Sequence, residues 1–416
     1  MNASEERIAN HCDPKRLWNL IVNSQENTST VTLPSGYIFN KSEVSNLYYA
    51  YVISQKLDIV ALPILEIVLA VFGILGSVCI LITITHQCYS QRLTFKSFMV
   101  ALSTSDLVFN VFAMPFVSLS RFTTFSGTPH AAISYTVLVT MCIVNVASLF
   151  SDLTSLCMMF ERYVSLMKPF YWHSRNRQWK KWFCITALLL NACMSTFRLY
   201  SPLKYRIEAT GGTSTKVPLY YVTFSDFRGT LWHRVLGLIC DIVLPLTILV
   251  AMLYFSLQTV TVVKKRKKIL PSRIAVQKSF IEGGVVCPPT SSLTTFSISN
   301  VDQPEKTKEL DSINMLIFCT AALTIICEVA YTYLWFLNLS LGDEVSMNDC
   351  MNKDLTRFKL IKHVLNRYSA AVTNFVEFVT RACNFYNYLT FSAVFRSQFV
   401  ERMNSLKIMI SNKCLY

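Results

Sequence analysis

Glycine and proline are scarce in this chain, 11 and 13 of 416 residues, and charged residues make up only 15%. So few backbone breakers exclude a collagen-like or Pro/Gly-rich linker protein, and so little charge excludes a disordered chain and an ordinary soluble domain. Histidine is rare as well. The six (11, 86, 130, 173, 233 and 363) show no HxxxH or HExxH spacing, so no metal site is expected. No GxSxG turn or phosphate-binding loop is present, so the chain is not expected to be an enzyme or to carry a cofactor. Alternating strands of the barrel kind are missing. No internal repeat is found, which removes the inverted-repeat sign of many transporters. Acids are outnumbered, 25 against 39 Lys and Arg, for a net charge of +14. More than half of those bases fall in inner loops and the inner tail once spans are placed, where anionic lipid attracts them. No nucleic-acid partner is needed to account for them.

What the chain does have is apolar length, with 52% of its residues hydrophobic. A bilayer-spanning helix needs about 20 predominantly apolar residues. Seven segments qualify: 58–85, 97–120, 131–160, 182–203, 235–263, 312–341 and 367–390. The reading is an all-α membrane protein, a seven-transmembrane helix bundle with a short amphipathic surface helix. Residues 1–57 form a polar tail, 58–390 the bundle, and 391–416 the surface helix and inner tail. The third inner loop, 264–311, carries Pro271, Pro288, Pro289 and a Ser/Thr-rich stretch from Ser291 to Ser299, and is expected to be disordered. Phe395, Phe399 and Met403 recur at helical spacing with Arg396 and Arg402 between them, the pattern of a helix lying on the membrane surface.

Orientation follows from the basic residues. Arg92 and Lys96, then Lys168, Arg175, Arg177, Lys180 and Lys181, then the run Lys264 to Lys268, all fall on one side. That side is inner and the N-terminus is outside, which makes the chain a multi-pass plasma-membrane protein. Glycosylation sequons at Asn2, Asn27, Asn40 and Asn338 all fall on the outer side. The start of the chain has no apolar h-region, so the first span is expected to act as the targeting signal. Most of the 14 cysteines lie inside spans, where they pack as small apolar residues. Cys12 and Cys350 lie outside, in the oxidising compartment, and could pair.

Acids recur within the spans: Glu66, Asp106, Asp152, Asp241 and Glu328, with Glu377 and Arg381 together in the seventh. A charge at the bilayer centre costs about 2.5–3.5 kcal/mol even on a lenient scale, so these residues should face one another, water or the bundle interior. Glu377, Arg381, Asn384 and Tyr388 fall on one stripe of the seventh helix, and Ser148, Asp152 and Ser155 on one stripe of the third. Asp106, Ser151, Asp152, Glu328, Glu377 and Arg381 are therefore expected to form an intramembrane polar network. It would serve as a switch, an ion site or a ligand pocket, or only position the helices.

At the inner end of the third span stands Glu161-Arg162-Tyr163, followed by Lys168-Pro169. This resembles the DRY motif of rhodopsin-like G-protein-coupled receptors. The resemblance runs over about 58–405. Leu102 to Leu107 with the later Pro115 looks like LAxxD and its proline, Pro245 matches the fifth-span proline, and Asn384-Phe385-Tyr386-Asn387-Tyr388 looks like NPxxY. Phe395-Arg396 follows at the family's spacing to its surface helix. The chain departs from the pattern in places. Gly76-Ser77-Val78 replaces Gly-Asn, Cys327-Glu328-Val329-Ala330 replaces CWxP, Val137 stands where a disulfide cysteine begins the third span, and the loop 204–230 has no cysteine. The Phe385 variant is similar to that of invertebrate FMRFamide-type neuropeptide receptors.

The resemblance implies a receptor passing an extracellular signal to a heterotrimeric G protein. Glu161, Arg162, Tyr163, Asn384 and Tyr388 would form its switch, with Arg162 held at rest by Glu161 and by Glu309 or Asp311. It matches Asp106 and Ser151 to a sodium site that many such receptors carry, and Arg381, one turn from Asn384, would neutralise Asp106 or Glu328 in place of the ion. Val144 stands where aminergic receptors have an aspartate, which disfavours a monoamine. The second outer loop, with Tyr205, Tyr220, Tyr221, Phe224, Phe227 and both charge signs, could contact a peptide, the favoured ligand, or only cap the bundle. An environmental chemosensory molecule is the alternative. A transporter or channel using the acids as a proton or cation path is the rival of another class.

Overall fold

The computed structural model describes residues 30–32, 38–40, 53, 61–85, 93–125, 130–168, 177–203, 205–210, 219–282, 319, 321–330, 332–333, 353–391 and 393–413. Its frame is a set of long helices. They are α1 (Leu62–Thr85), α2 (Leu93–Phe125), α3 (Ala131–Met167) and α4 (Arg177–Thr196). Then come α5 (Leu231–Glu282, continuous through an internal wide turn), α6 (described over Ala321–Ala330), α7 (Lys353–Phe391) and α8 (Ala393–Lys413). Among the described residues α1 to α5 each contain a stretch long and apolar enough to cross a membrane. The described part of α6 is apolar but short, and α7 is rich in charge from Lys353 to Arg367, with Glu377 and Arg381 farther along. Backbone satisfaction explains the architecture: in hydrocarbon every N–H and C=O must be paired within the segment, and a helix does this alone.

Helix α3 is the hub, packed on α2, α4 and α5, while α1 packs on α2 and α7. Thr373 and Thr380 of α7 donate to the carbonyls of Ala330 and Leu323, both at 3.4 Å, and so seat α6 on α7. Faces turned away from these contacts expose Phe72 and Leu75 on α1, Leu189 and Leu190 on α4, and Val250 and Leu257 on α5. In water such a surface would aggregate; against lipid it is the expected coat.

Close contacts are made where a side chain is missing. A Cβ on Gly76 would meet that of Phe385 at 2.6 Å, so glycine is what lets α1 approach α7 there. Phe385 stands where a proline is usual and packs instead as an aromatic anchor. Its ring lies 6.2 Å from Phe395 and 5.6 Å from Phe399, which fixes α8 beneath α7 and against α1.

Several boundaries differ from the hydropathy reading. Helix α7 begins at Lys353 rather than 367, and α4 at Arg177 rather than 182. Helix α5 continues through the basic run to Glu282, so the first part of the expected irregular loop is helical. Hydropathy marks the length in hydrocarbon, but once nucleated a helix propagates into water at little cost per residue. Two hairpins also appear that alternation had not signalled. Thr30–Thr32 (β1) pairs with Ile38–Asn40 (β2) in the tail, and Tyr205–Thr210 (β3) pairs with Leu219–Phe224 (β4) between α4 and α5, packed on α2 and α3.

Candidate functional site

One arginine organises the bundle centre. On α3, Ser148, Ser151 and Asp152 stand on one helical face, and Arg381 reaches that face from α7. Its Nη1 donates to Ser151 Oγ at 2.6 Å, and its Nη2 donates to Asp152 Oδ1 at 2.8 Å and to the Ser148 carbonyl at 3.0 Å. Each serine then passes the contact on. Ser151 donates to Asp106 Oδ1 at 2.7 Å, and Ser148, which accepts from Arg381 at 3.1 Å, donates to Glu377 Oε1. Asn384 Nδ2 closes the other side of Asp106, donating to Oδ2 at 2.5 Å. Arg381 and Asp106 are each 1% exposed, with Nη1 and Oδ1 3.9 Å apart. Glu328 of α6 is buried close enough to Asp152 to interact with it electrostatically. The guanidinium also lies over the Phe109 ring, 5.8 Å from its centre.

The structure thus brings Asp106, Ser151, Asp152, Glu328, Glu377 and Arg381 into one cluster joining α2, α3, α6 and α7. The first carboxylate partner of Arg381 is Asp152 at 2.8 Å, with the expected Asp106 second at 3.9 Å. Planarity accounts for the choice: the guanidinium fork presents two parallel N–H groups, and Ser151 and Asp152, adjacent on α3, match it.

A second cluster lies where α4 ends and α5 begins, and sequence reasoning missed most of it. Arg198, after α4, donates to Asp241 Oδ1 at 3.0 Å, and Tyr200 donates to Oδ2. Asp241 sits in the wide turn Leu238–Val243 of α5, four residues before Pro245. A proline ring clashes with the carbonyl of the residue four before it, here Asp241, and the wider turn relieves that clash. The displaced backbone carries the Asp241 side chain toward α4. The signal was present as one cation near one acid of opposite sign at the same end of neighbouring spans. On α4, Asn191, the lone amide in an apolar run, lies 3.5 Å from Thr154 Oγ1.

At the inner end, Glu161 and Arg162 are both buried on the last turns of α3. Tyr163 lies beside them against α5, with its ring 6.2 Å from Tyr254 and 5.4 Å from Phe255. Phe160 packs on Phe255 and on Phe183 of α4. An aromatic layer therefore surrounds the inner arginine on its α4 and α5 sides. Tyr388 is buried in the same apolar core, 5.7 Å from Phe395.

Other expected positions fall elsewhere. Asn40 lies on β2 opposite Thr30. Asn2, Asn27, Asn338, Cys12, Cys350, Glu309 and Asp311 lie outside the described residues. The described cysteines are free thiols, and among the described residues no grouping of three or more His, Cys, Asp or Glu is placed to hold a metal.

No curated protein matches the chain. A family model described as "7 transmembrane receptor (rhodopsin family)" matches residues 76–374, from Gly76 in α1 well into α7. With its helical bundle, lipid-facing surface and buried inner Glu161-Arg162 pair, the chain belongs to the rhodopsin family of seven-transmembrane receptors, multi-pass membrane proteins of signal transduction.

Proposed function

We propose that this chain is a plasma-membrane receptor, N-terminus outside, that passes the binding of an extracellular neuropeptide to a heterotrimeric G protein. The burial of Glu161 and Arg162 at the inner end of the hub helix carries the signalling half of this reading. A buried acid and arginine at a helix exit are tolerated where partners compensate them, and an outward movement of α6 would free Arg162 to meet a new partner. Tyr163, Asn384 and Tyr388 are assigned to the same switch, and the sequons at Asn2, Asn27, Asn40 and Asn338 to the outer, glycosylated side.

The outer face supports a peptide. The β3–β4 hairpin lays Tyr205, Arg206, Glu208 and Tyr220 over the α2 and α3 ends, offering aromatic area and both charge signs. Val144 is itself buried in an apolar cluster, so the third span offers an amine no acid of its own at that position. The Phe385 anchor is the ground for assigning the FMRFamide-like, invertebrate type.

The test is a screen of amidated and free neuropeptides on cells expressing the chain, read as G-protein dissociation. A peptide that activates the wild type should fail on Arg162→Ala present at the surface in equal amount. Equal coupling by that variant would remove Arg162 from the switch.

A further inference from the structure

We propose that Arg381 is the resident cation of the polar core and holds the place beside Asp106 that a dissociable sodium ion would need, so that this receptor's core takes no such ion. The inference rests on the core geometry and not on the ligand or G protein proposed above.

A hard cation binds oxygen lone pairs, and each carboxylate oxygen of Asp106 already accepts a hydrogen bond. Ser151 donates to Oδ1 of Asp106 and Asn384 to Oδ2, at 2.7 and 2.5 Å. The Ser151 oxygen itself accepts from Arg381 at 2.6 Å. Arg381 Nη1 stands 3.9 Å from Asp106 Oδ1, so an ion bound to that oxygen would lie against a second positive charge where solvent cannot screen it. Asn384 presents an N–H, not its oxygen, to the carboxylate. Oδ1 of Asp106 is thus tied to the guanidinium through one hydroxyl and Oδ2 is held by Asn384, whose own buried Oδ1 has no hydrogen-bond partner.

Attachment changes what the charge can do. A free ion leaves to bulk when its site collapses, so its effect follows salt concentration. The Arg381 charge is fixed to α7 and must travel with it, so a shift of α7 against α2 and α3 exchanges its carboxylate partners rather than emptying a site.

The experiment uses purified full-length receptor without ligand and reads its thermal unfolding midpoint as sodium replaces choline at constant ionic strength. The wild-type midpoint is expected not to move. The paired variant Asp152→Asn with Arg381→Gln removes one charge of each sign, keeps Asp106, Ser151 and Asn384, and is expected to gain a saturable, sodium-specific rise, since an ion that binds only the folded state stabilises it by mass action. A saturable sodium-specific rise in the wild type would overturn the proposal. So would a paired variant that stays insensitive, because the arginine would then not be what keeps the ion out.

Discussion

Two arginines in this molecule each stand between two carboxylates, and their surroundings could hardly differ more. Arg381, in the bundle centre, contacts Asp152 at 2.8 Å with Asp106 at 3.9 Å. Arg206, on the outer hairpin, contacts Glu208 at 2.6 Å and Asp226 at 3.2 Å, with a side chain 48% exposed and Asp226 95% exposed. By distance alone the outer group is as well paired as the inner one. Energetically they are unlike, because water competes for every partner of Arg206 and for none of Arg381. Exposed pairs are typically worth under about 1 kcal/mol, whereas removing one member of a buried pair costs about 3–5 kcal/mol by leaving the other charge stranded.

The largest effect should come from Arg381→Ala, which strands Asp152 and Asp106 in the core. Surface expression should collapse, or stability fall by about 3–5 kcal/mol in a thermal assay. Adding Asp152→Asn to the same chain should recover part of it. Wild-type stability in Arg381→Ala would reduce the inner cluster to the standing of the outer one.

Arg198 and Asp241 lie between the extremes, with side chains 13% and 3% exposed. Asp241→Ala removes two charge-assisted hydrogen bonds at once and should cost about 1.5–3 kcal/mol. Tyr200→Phe, which leaves the ion pair intact, should cost less than that. If both variants match the loss in Arg381→Ala, depth in the bundle is not what grades these sites.

The smallest effect belongs to Arg206→Ala, expected to change stability by less than about 0.5 kcal/mol and to vanish at high salt. Its measurable consequence lies in peptide association: under the neuropeptide reading the charge steers encounter, so the on-rate should fall while stability holds. An unchanged on-rate with an activating peptide in hand would remove Arg206 from recognition.

The bundle was legible because lipid imposes a demand that composition records directly. A run such as Leu62 to Thr85 can satisfy its backbone in hydrocarbon only as a helix. The buried charges were legible for the complementary reason: Asp106 or Arg381 within an apolar run has to be balanced by something nearby. Helix ends were less so, as at Lys353 and Glu282, since a helix outside lipid needs no apolar sequence to continue. The hairpins were hidden because β3 and β4 are short strands whose pairing depends on what they pack against.

By itself the sequence determined that seven helices cross a membrane, that acids and one arginine share their interior, and that an acid-arginine pair closes the third span. Only the tertiary structure decided who meets whom. Arg381 pairs with Asp152 rather than Glu328 because Ser151 and Asp152 sit side by side on α3 and match its fork. Arg198 finds Asp241 because Pro245 forces a wide turn that points the acid at α4. Phe385 can replace a proline because Gly76, on another helix, leaves room for it. Periodicity ranks residues along a single helix, whereas partners are chosen across helices by rotation, depth and the space a neighbour leaves.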